Sequence, residues 1–303
     1  MLNNIGRLDE DDIKELNQKL KQIFEYLDEG KKEEALKEIH NLARTQNYFV
    51  REYFGQHLLD YHNQRKILPI MRKMLKSEHY GERATALFYF FNKYANEPNK
   101  IVDVIEQIFE NTPWETENIL NELWKSAPDI MKERMKSWIK SDNELKRALS
   151  FHGMEHIADI DPEYIMEFIG NTLGDQSMEV QKKITHILTQ VAKSKPFIVY
   201  PYLRAWLIDA DEAHQKTIWV SMKKLANIIA QKSKRDKSPD FVLLTQQTIK
   251  DWSNDPNEKV KKMGRKLYVI IKNTFDRNNY SNSKNQDNNG RKKYHRKTNN
   301  KKE

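Results

Sequence analysis

Apolar residues repeat at α-helical spacing along almost the whole chain. In residues 177–193, the apolar positions fall on one face of a helix: Val180, Ile184, Ile187, Leu188 and Val191. Residues 161–173 and 211–230 show the same spacing. No segment alternates convincingly between apolar and polar residues as a half-buried strand would, and only 9 Gly and 9 Pro interrupt the 303 residues. This periodicity predicts an all-α protein.

The predicted helices are short and come in pairs. Four breaks place a proline just inside a helix start, three of them after a polar residue: Ala127-Pro128, Asp161-Pro162, Ser238-Pro239 and Asp255-Pro256. Such dipeptides are typical of helix N-termini. The predicted pairs are 65–76 with 81–95, 98–111 with 114–125, 128–140 with 143–157, 161–173 with 177–193, 196–208 with 211–230, and 239–251 with 256–273. Three more helices are expected within residues 6–61.

The pairs recur every 30 to 43 residues. One helix hairpin cannot bury its apolar face alone, so this period predicts stacked hairpins. The expected fold is therefore a HEAT-like or armadillo-type helical-repeat solenoid, an α-α superhelix, over residues 1–275.

The last residues, 276–303, differ in composition from the rest of the chain. They carry 9 Lys/Arg against 3 Asp/Glu, a net charge of +6, and contain no Leu, Ile, Val or Phe. Because such a segment buries too little apolar area to offset its ordering entropy, we expect a disordered basic tail. The remaining residues carry only +2 of the total +8.

Several classes of protein are disfavoured by the composition. The chain has no cysteine, which excludes disulfides and thiolate sites. It has no apolar run long enough to cross a membrane and begins with a polar, acidic segment, so a cytoplasmic protein is expected. His152, Glu155 and His156 have helical spacing but match no zinc motif. No metal, cofactor or membrane partner is predicted, and we expect a monomer.

Cations recur near the start of the second helix of most pairs. When the pairs are aligned on an apolar residue, the next two positions supply a set of basic side chains: Arg51, Lys146, Arg147, Lys182, Lys216, Lys261 and Lys262. In stacked repeats, equivalent positions form a row, so these cations are predicted to form a basic stripe that binds a polyanion. The alternative is that each is simply a solvated residue at a helix N-terminus.

Residues 114–149, WETENILNELWKSAPDIMKERMKSWIKSDNELKRAL, resemble the DNA alkylation repair proteins, HEAT-like alkylpurine DNA glycosylases. Trp114 matches the first Trp of the family pattern. A W-x-x-S-x-N turn and a cationic helix follow, matched by Trp138, Ser141, Asn143, Leu145, Lys146, Arg147 and Ala148. The resemblance is strongest over 65–230. The catalytic Asp of the family is replaced by Asn118.

This resemblance implies a concave basic surface that grips duplex DNA, with Trp114, Asn118 and Arg147 near the lesion. The family's carboxylate stabilises positive charge on the sugar as the glycosidic bond breaks. An Asn has a dipole but no charge, so weak or absent glycosylase activity is expected. Glu122, one turn beyond Asn118, is a candidate substitute carboxylate.

Three functions remain open from the sequence. The leading hypothesis is a DNA-binding protein of the alkylation-repair type with weak or no glycosylase activity. The second is an active alkylpurine DNA glycosylase. The third is a HEAT-like scaffold for a protein partner or RNA, in which Trp114 would be a packing residue, as Trp138, Trp206 and Trp219 are expected to be.

Overall fold

The computed structural model describes residues 6–111, 113–232 and 240–272. All regular structure in these ranges is helical. The predicted tail, residues 276–303, its boundary at 275 and the Ser238-Pro239 helix start lie outside the described residues.

The chain divides into two compact units, Met1–His156 and Ile157–Glu303. The helices of unit 1 are α1 (Glu10–Asp28), α2 (Lys32–Ala43), α3 (Tyr48–His57), α4 (Gln64–Leu75), α5 (Tyr80–Lys93), α6 (Pro98–Glu106), α7 (Glu115–Ser126), α8 (Pro128–Trp138) and α9 (Glu144–Leu149). Those of unit 2 are α10 (Pro162–Gly170), α11 (Met178–Ser194), α12 (Pro196–Asp209), α13 (Glu212–Lys232), α14 (Asp240–Trp252) and α15 (258–272).

Alternate helices of each unit pack on one another. In unit 1, α3 packs on α5 and α5 on α7, while α6 packs on α8. In unit 2, α11 packs on α13, and α12 contacts both α10 and α14. The described residues thus confirm the predicted all-α, HEAT-like repeat fold, in which each hairpin buries its apolar face against its neighbours.

The residues predicted from periodicity form the core. Val180, Ile184 and Leu188 of α11 are completely buried, as are Ile218 and Met222 of α13. Burial of one apolar stripe per helix against adjacent helices is what stabilises helices of this length, since propensity alone does not.

The predicted helix starts are only partly correct. Pro128 and Pro162 are the first residues of α8 and α10, and the side chain of Asp161 caps α10 by accepting from the Tyr164 amide at 3.1 Å. The start predicted at Asp255-Pro256 is wrong. There the helix begins at 258, because the side chain of Asn257 accepts from the Lys259 amide at 3.0 Å.

The helix predicted over 143–157 is also wrong. α9 ends at Leu149, and a short 3-10 segment follows at Met154–Ile157. Between them lies Gly153, which has a φ of 82° and lies so close to α7 that an added Cβ would come within 2.8 Å of the side chains of Asn121 and Trp124. A positive φ interrupts the helix, and the close packing requires glycine.

Candidate functional site

An exposed aromatic pair lies at the start of α3 and α7 in unit 1. Tyr48 is the first residue of α3, and Trp114 immediately precedes α7. Their rings stack with centroids 5.2 Å apart and planes inclined by 27°. The Trp114 side chain is about half exposed, at 52%, whereas Trp124 and Trp138 are fully buried. Unit 1 therefore presents an aromatic surface to solvent.

Polar groups adjoin this pair. The Asn118 Nδ2 donates to the Tyr48 Oη at 3.4 Å, and that hydroxyl donates to Glu52 Oε1 at 3.3 Å. All three side chains are half-buried. Glu52 lies one helical turn after Tyr48, so both project from the same face of α3. We call Tyr48, Glu52, Trp114 and Asn118 the aromatic–carboxylate cluster.

The local environment disfavours ionisation within the cluster. Burial raises the pKa of the Glu52 carboxyl above its usual value, and the hydrogen bond from Tyr48 opposes this. Burial also raises the pKa of the Tyr48 hydroxyl, although the hydrogen bond from Asn118 opposes that. Glu52 has no ion pair among the residues that the structure describes. The cluster therefore holds a carboxylate without a neighbouring cation.

A buried ion pair supports the cluster. Arg51 Nη2 lies 2.5 Å from Glu115 Oε1, and the Tyr80 hydroxyl donates to Glu115 Oε2, also at 2.5 Å. The Trp114 amide donates to the same Tyr80 oxygen at 3.2 Å. The network thus links α3, α5 and α7 and fixes the backbone that carries the exposed indole.

The exposed position predicted for Arg51 needs correction. Its side chain is only 5% exposed, because it pairs with Glu115 and donates from Nη1 to the Thr45 carbonyl at 2.8 Å. Arg51 is therefore an internal residue of unit 1 and not part of an exposed basic stripe.

The hydrogen bond from Arg51 to the Thr45 carbonyl recurs in other repeats and accounts for two of the predicted cations, Arg51 and Arg147. Three arginines each donate from Nη1 to the carbonyl six residues earlier, in the turn between paired helices: Arg51 to Thr45, Arg83 to Ser77 and Arg147 to Ser141. Gln181 Nε2 donates to Asp175 in the same way at 2.7 Å. Such bonds satisfy carbonyls of the turn between the two helices, which belong to no helical ladder.

The predicted register of the repeats is wrong for α7. The arginines and Gln181 are each the fourth residue of their helix, and the fourth residue of α7 is Asn118. Alignment of the repeats on one residue per unit, with Thr112 in this helix, instead puts Pro113 and Trp114 at the two positions that hold cations in most other units. Asn118 thus stands where other repeats hold a turn-binding side chain, and its amide contacts Tyr48.

The other predicted cations differ in exposure. Lys182, Lys216 and Lys262 are exposed, each as the fifth residue of its helix in unit 2. Lys182 lies 2.6 Å from Glu179, and the less exposed Lys261 lies 2.5 Å from Glu258.

The two remaining cations lie in unit 1 and are half-buried. Lys146 Nζ packs over the Phe109 ring at 4.9 Å and lies 3.6 Å from Glu106. Arg147 donates to the carbonyls of Ser141 and Asp142, at 2.9 and 3.0 Å. Both side chains therefore help to hold unit 1 together.

The substitute carboxylate proposed from the sequence is poorly placed. Glu122 is exposed, and its Oε1 lies 2.7 Å from Lys125 Nζ. Glu52 is not among the site residues that the sequence predicts, although it directly follows Arg51. The sequence also does not predict Tyr48, Tyr80 and Glu115 as partners, since the contacts join residues 35 to 70 positions apart.

The described residues contain no group of three or more potential metal ligands. None of their helices is both long and apolar enough to cross a membrane.

Comparison with known proteins places the chain. The model of a family described as DNA alkylation repair enzyme matches residues 38–225. No curated protein matches. A solved structure titled as the crystal structure of an engineered protein aligns at 14% identity over 84% of this chain and 97% of its own, with a TM-score of 0.26, which is too weak to bear on the fold. The match to the family model spans more than half of the chain, which therefore belongs to the DNA alkylation repair enzyme family.

Proposed function

We propose that the protein binds duplex DNA, recognises alkylated nucleotides at the aromatic–carboxylate cluster, and releases alkylated purines slowly or not at all. The observation that carries this proposal is the exposed Trp114–Tyr48 stack beside Asn118, in a chain that belongs to a DNA alkylation repair family. Cytoplasmic location, a monomeric state and independence from cofactors belong to the same proposal.

The chemistry of the substrate limits what the protein must supply. Alkylation of a purine ring nitrogen places positive charge on the base and weakens the glycosidic bond, so a strong general acid is not needed. The protein has to hold the duplex, contact the damaged nucleotide and stabilise the cationic sugar. The exposed indole of Trp114 suits the contact, since an aromatic face attracts a cation.

Asn118 limits the rate in this proposal. The resemblance to the family implies a carboxylate at this position, and an amide offers only a dipole to the cationic sugar. Loss of a preorganised electrostatic group typically costs about 10²–10³ in rate. The native protein is therefore expected to be slow at best.

Exposed lysines are proposed to hold the DNA. In unit 2, Lys182, Lys216 and Lys262 occupy the same position of successive second helices, and Lys261 precedes Lys262. Exposed cations at equivalent positions of successive repeats can neutralise several phosphates of a duplex. In unit 1, the half-buried Lys146 and Arg147 are proposed to contact DNA phosphates through the exposed parts of their side chains.

The test is the release of an N7-methylated guanine from duplex DNA under single-turnover conditions. We expect slow or undetectable release by the native protein and faster release by Asn118→Asp. Robust native release that survives Asn118→Ala would refute the role given to this position. Binding of DNA without any gain in Asn118→Asp would favour a pure binding protein.

One observation favours the scaffold alternative. An open groove of about 800 Å³ in unit 2 is lined by Phe197, Leu243 and Tyr268, which are 73%, 59% and 49% exposed. Exposed apolar surface of this kind is typical of protein-binding sites. A protein that binds neither native nor alkylated duplex DNA, at low salt, would favour this function over DNA repair.

A further inference from the structure

We infer that Glu52 is the carboxylate that faces the positive charge of the bound alkylated nucleotide. This inference rests on the proposed function and deepens it. It assigns to an α3 residue the electrostatic role for which Asn118 on α7 lacks the charge.

Glu52 lies next to the stacked rings and is linked to Asn118 by hydrogen bonds. Its Oε1 accepts from the Tyr48 hydroxyl at 3.3 Å, and the oxygen of that hydroxyl accepts from the Asn118 amide at 3.4 Å. Glu52 is thus two hydrogen bonds from Asn118 and one helical turn from the ring that stacks on Trp114. Glu52 therefore supplies a carboxyl group to the cluster and is connected to Asn118 through Tyr48.

Glu52 differs from the neighbouring carboxylates in its charge compensation. Glu115 is paired with Arg51 at 2.5 Å and Glu122 with Lys125 at 2.7 Å. Glu117 lies 3.7 Å from His152 Nδ1. Glu52 alone of these has no ion pair among the described residues. A half-buried carboxylate without a cation costs the fold free energy, and such groups concentrate at functional sites.

The surroundings of Glu52 suit a flat ligand. The stacked rings of Tyr48 and Trp114 offer an aromatic surface, half exposed at Trp114, next to the carboxylate. Aromatic faces and a carboxylate together favour a flat organic cation over a neutral base of the same shape. An alkylated purine would supply the missing positive charge, whereas an undamaged purine would leave Glu52 uncompensated.

The experiment compares Glu52→Gln with Glu122→Gln in the full chain. Both variants remove one carboxylate, but Glu122 is exposed and already paired. The affinity of each is measured for a duplex with one N7-methylated guanine and for the same duplex unmodified. We expect Glu52→Gln to reduce the preference for the methylated duplex about fivefold, as for a partly exposed ion pair. Glu122→Gln should keep the preference and should bind the unmodified duplex like the native protein.

Thermal unfolding and Glu52→Asp separate a binding role from a structural one. Since Glu52 is half-buried and has no ion pair, Glu52→Gln should unfold at the same or a higher temperature than the native protein. Glu52→Asp should retain part of the preference for the methylated duplex. An unchanged preference in folded Glu52→Gln overturns the inference. So does a lower melting temperature with a lost preference that Glu52→Asp does not restore. If the native protein binds neither duplex, the proposed function itself fails.

Discussion

The buried ion pair between Arg51 and Glu115 should be a main determinant of stability in unit 1. The Arg51 side chain is 5% exposed and that of Glu115 is fully buried, with 2.5 Å between Nη2 and Oε1. Replacing Arg51 by Met keeps much of the apolar volume but leaves Glu115 without its cation. Removing one partner of a buried pair costs about 3–5 kcal/mol, because the other charge stays buried and unpaired.

The double variant Arg51→Met, Glu115→Gln should be more stable than Arg51→Met alone. The amide introduced by Glu115→Gln would still accept from the Tyr80 hydroxyl without carrying a charge. We expect the two substitutions to be non-additive by about 1–3 kcal/mol, as contacting residues usually are. Lys182→Ala is the matched cation control, since its pair with Glu179 is exposed at 65% and 51% and contributes under about 1 kcal/mol.

Urea unfolding followed by far-UV circular dichroism measures these differences. In a unit of this size, 1 kcal/mol corresponds to roughly 2–4 °C in melting temperature, so thermal unfolding should show the same order. A loss below about 1 kcal/mol in Arg51→Met would refute the reasoning. So would a double variant less stable than Arg51→Met, because the penalty would then not come from the unpaired carboxylate.

Three further predictions concern unit 2 and the helix packing. The double variant Lys182→Ala, Lys216→Ala should reduce the slope of log affinity for duplex DNA against log salt concentration by roughly 2, about 1 for each phosphate contact. The same reduction is expected after deletion of residues 276–303. An unchanged slope would show that these lysines do not contact the DNA. Gly81→Ala should lower the free energy of unfolding by about 1–3 kcal/mol, because the new Cβ would overlap the Ala43 carbonyl oxygen. An unchanged midpoint of urea unfolding would contradict this close approach. Asp255 accepts hydrogen bonds from Arg204 at 2.7 and 3.1 Å, and these bonds lower the pKa of the Asp255 carboxyl. The pair therefore stabilises the fold at pH values above the ordinary pKa of an Asp. This stabilisation is lost as the pH falls through the pKa of Asp255 in the folded protein. In Arg204→Met this loss should move to higher pH in acid unfolding, and an unshifted acid transition would contradict the role of the pair.

The sequence predicted the helices and their buried faces well, because burial of one stripe per helix imposes a period that any window reveals. It did not predict the break after α9, since a single Gly153 is compatible with a helix until its φ and its contact with Trp124 are known. The recurrence of cations near helix starts predicts a DNA-binding stripe. In Arg51 and Arg147, however, the guanidinium binds carbonyls of the preceding turn, a role that spacing alone does not separate from phosphate binding.

The candidate site was predicted only in part for the same physical reason. Trp114 and Asn118 lie one turn apart and were found together by their resemblance to a known pattern. Tyr48 and Glu52 come from another helix. A contact between residues 70 positions apart, such as that of Asn118 with Tyr48, produces no local sequence pattern from which it could be predicted.

The central claim is that the exposed face of Trp114 contacts the damaged nucleotide. The most direct measurement is the ratio of affinities for a duplex with one N7-methylated guanine and for the unmodified duplex, in the native protein and in Trp114→Ala. Phe197→Ala is the control, because Phe197 is an exposed aromatic residue of unit 2. We predict that the native protein prefers the methylated duplex, that Trp114→Ala abolishes this preference while still binding unmodified DNA, and that Phe197→Ala retains it. A preference that survives in Trp114→Ala would contradict the account.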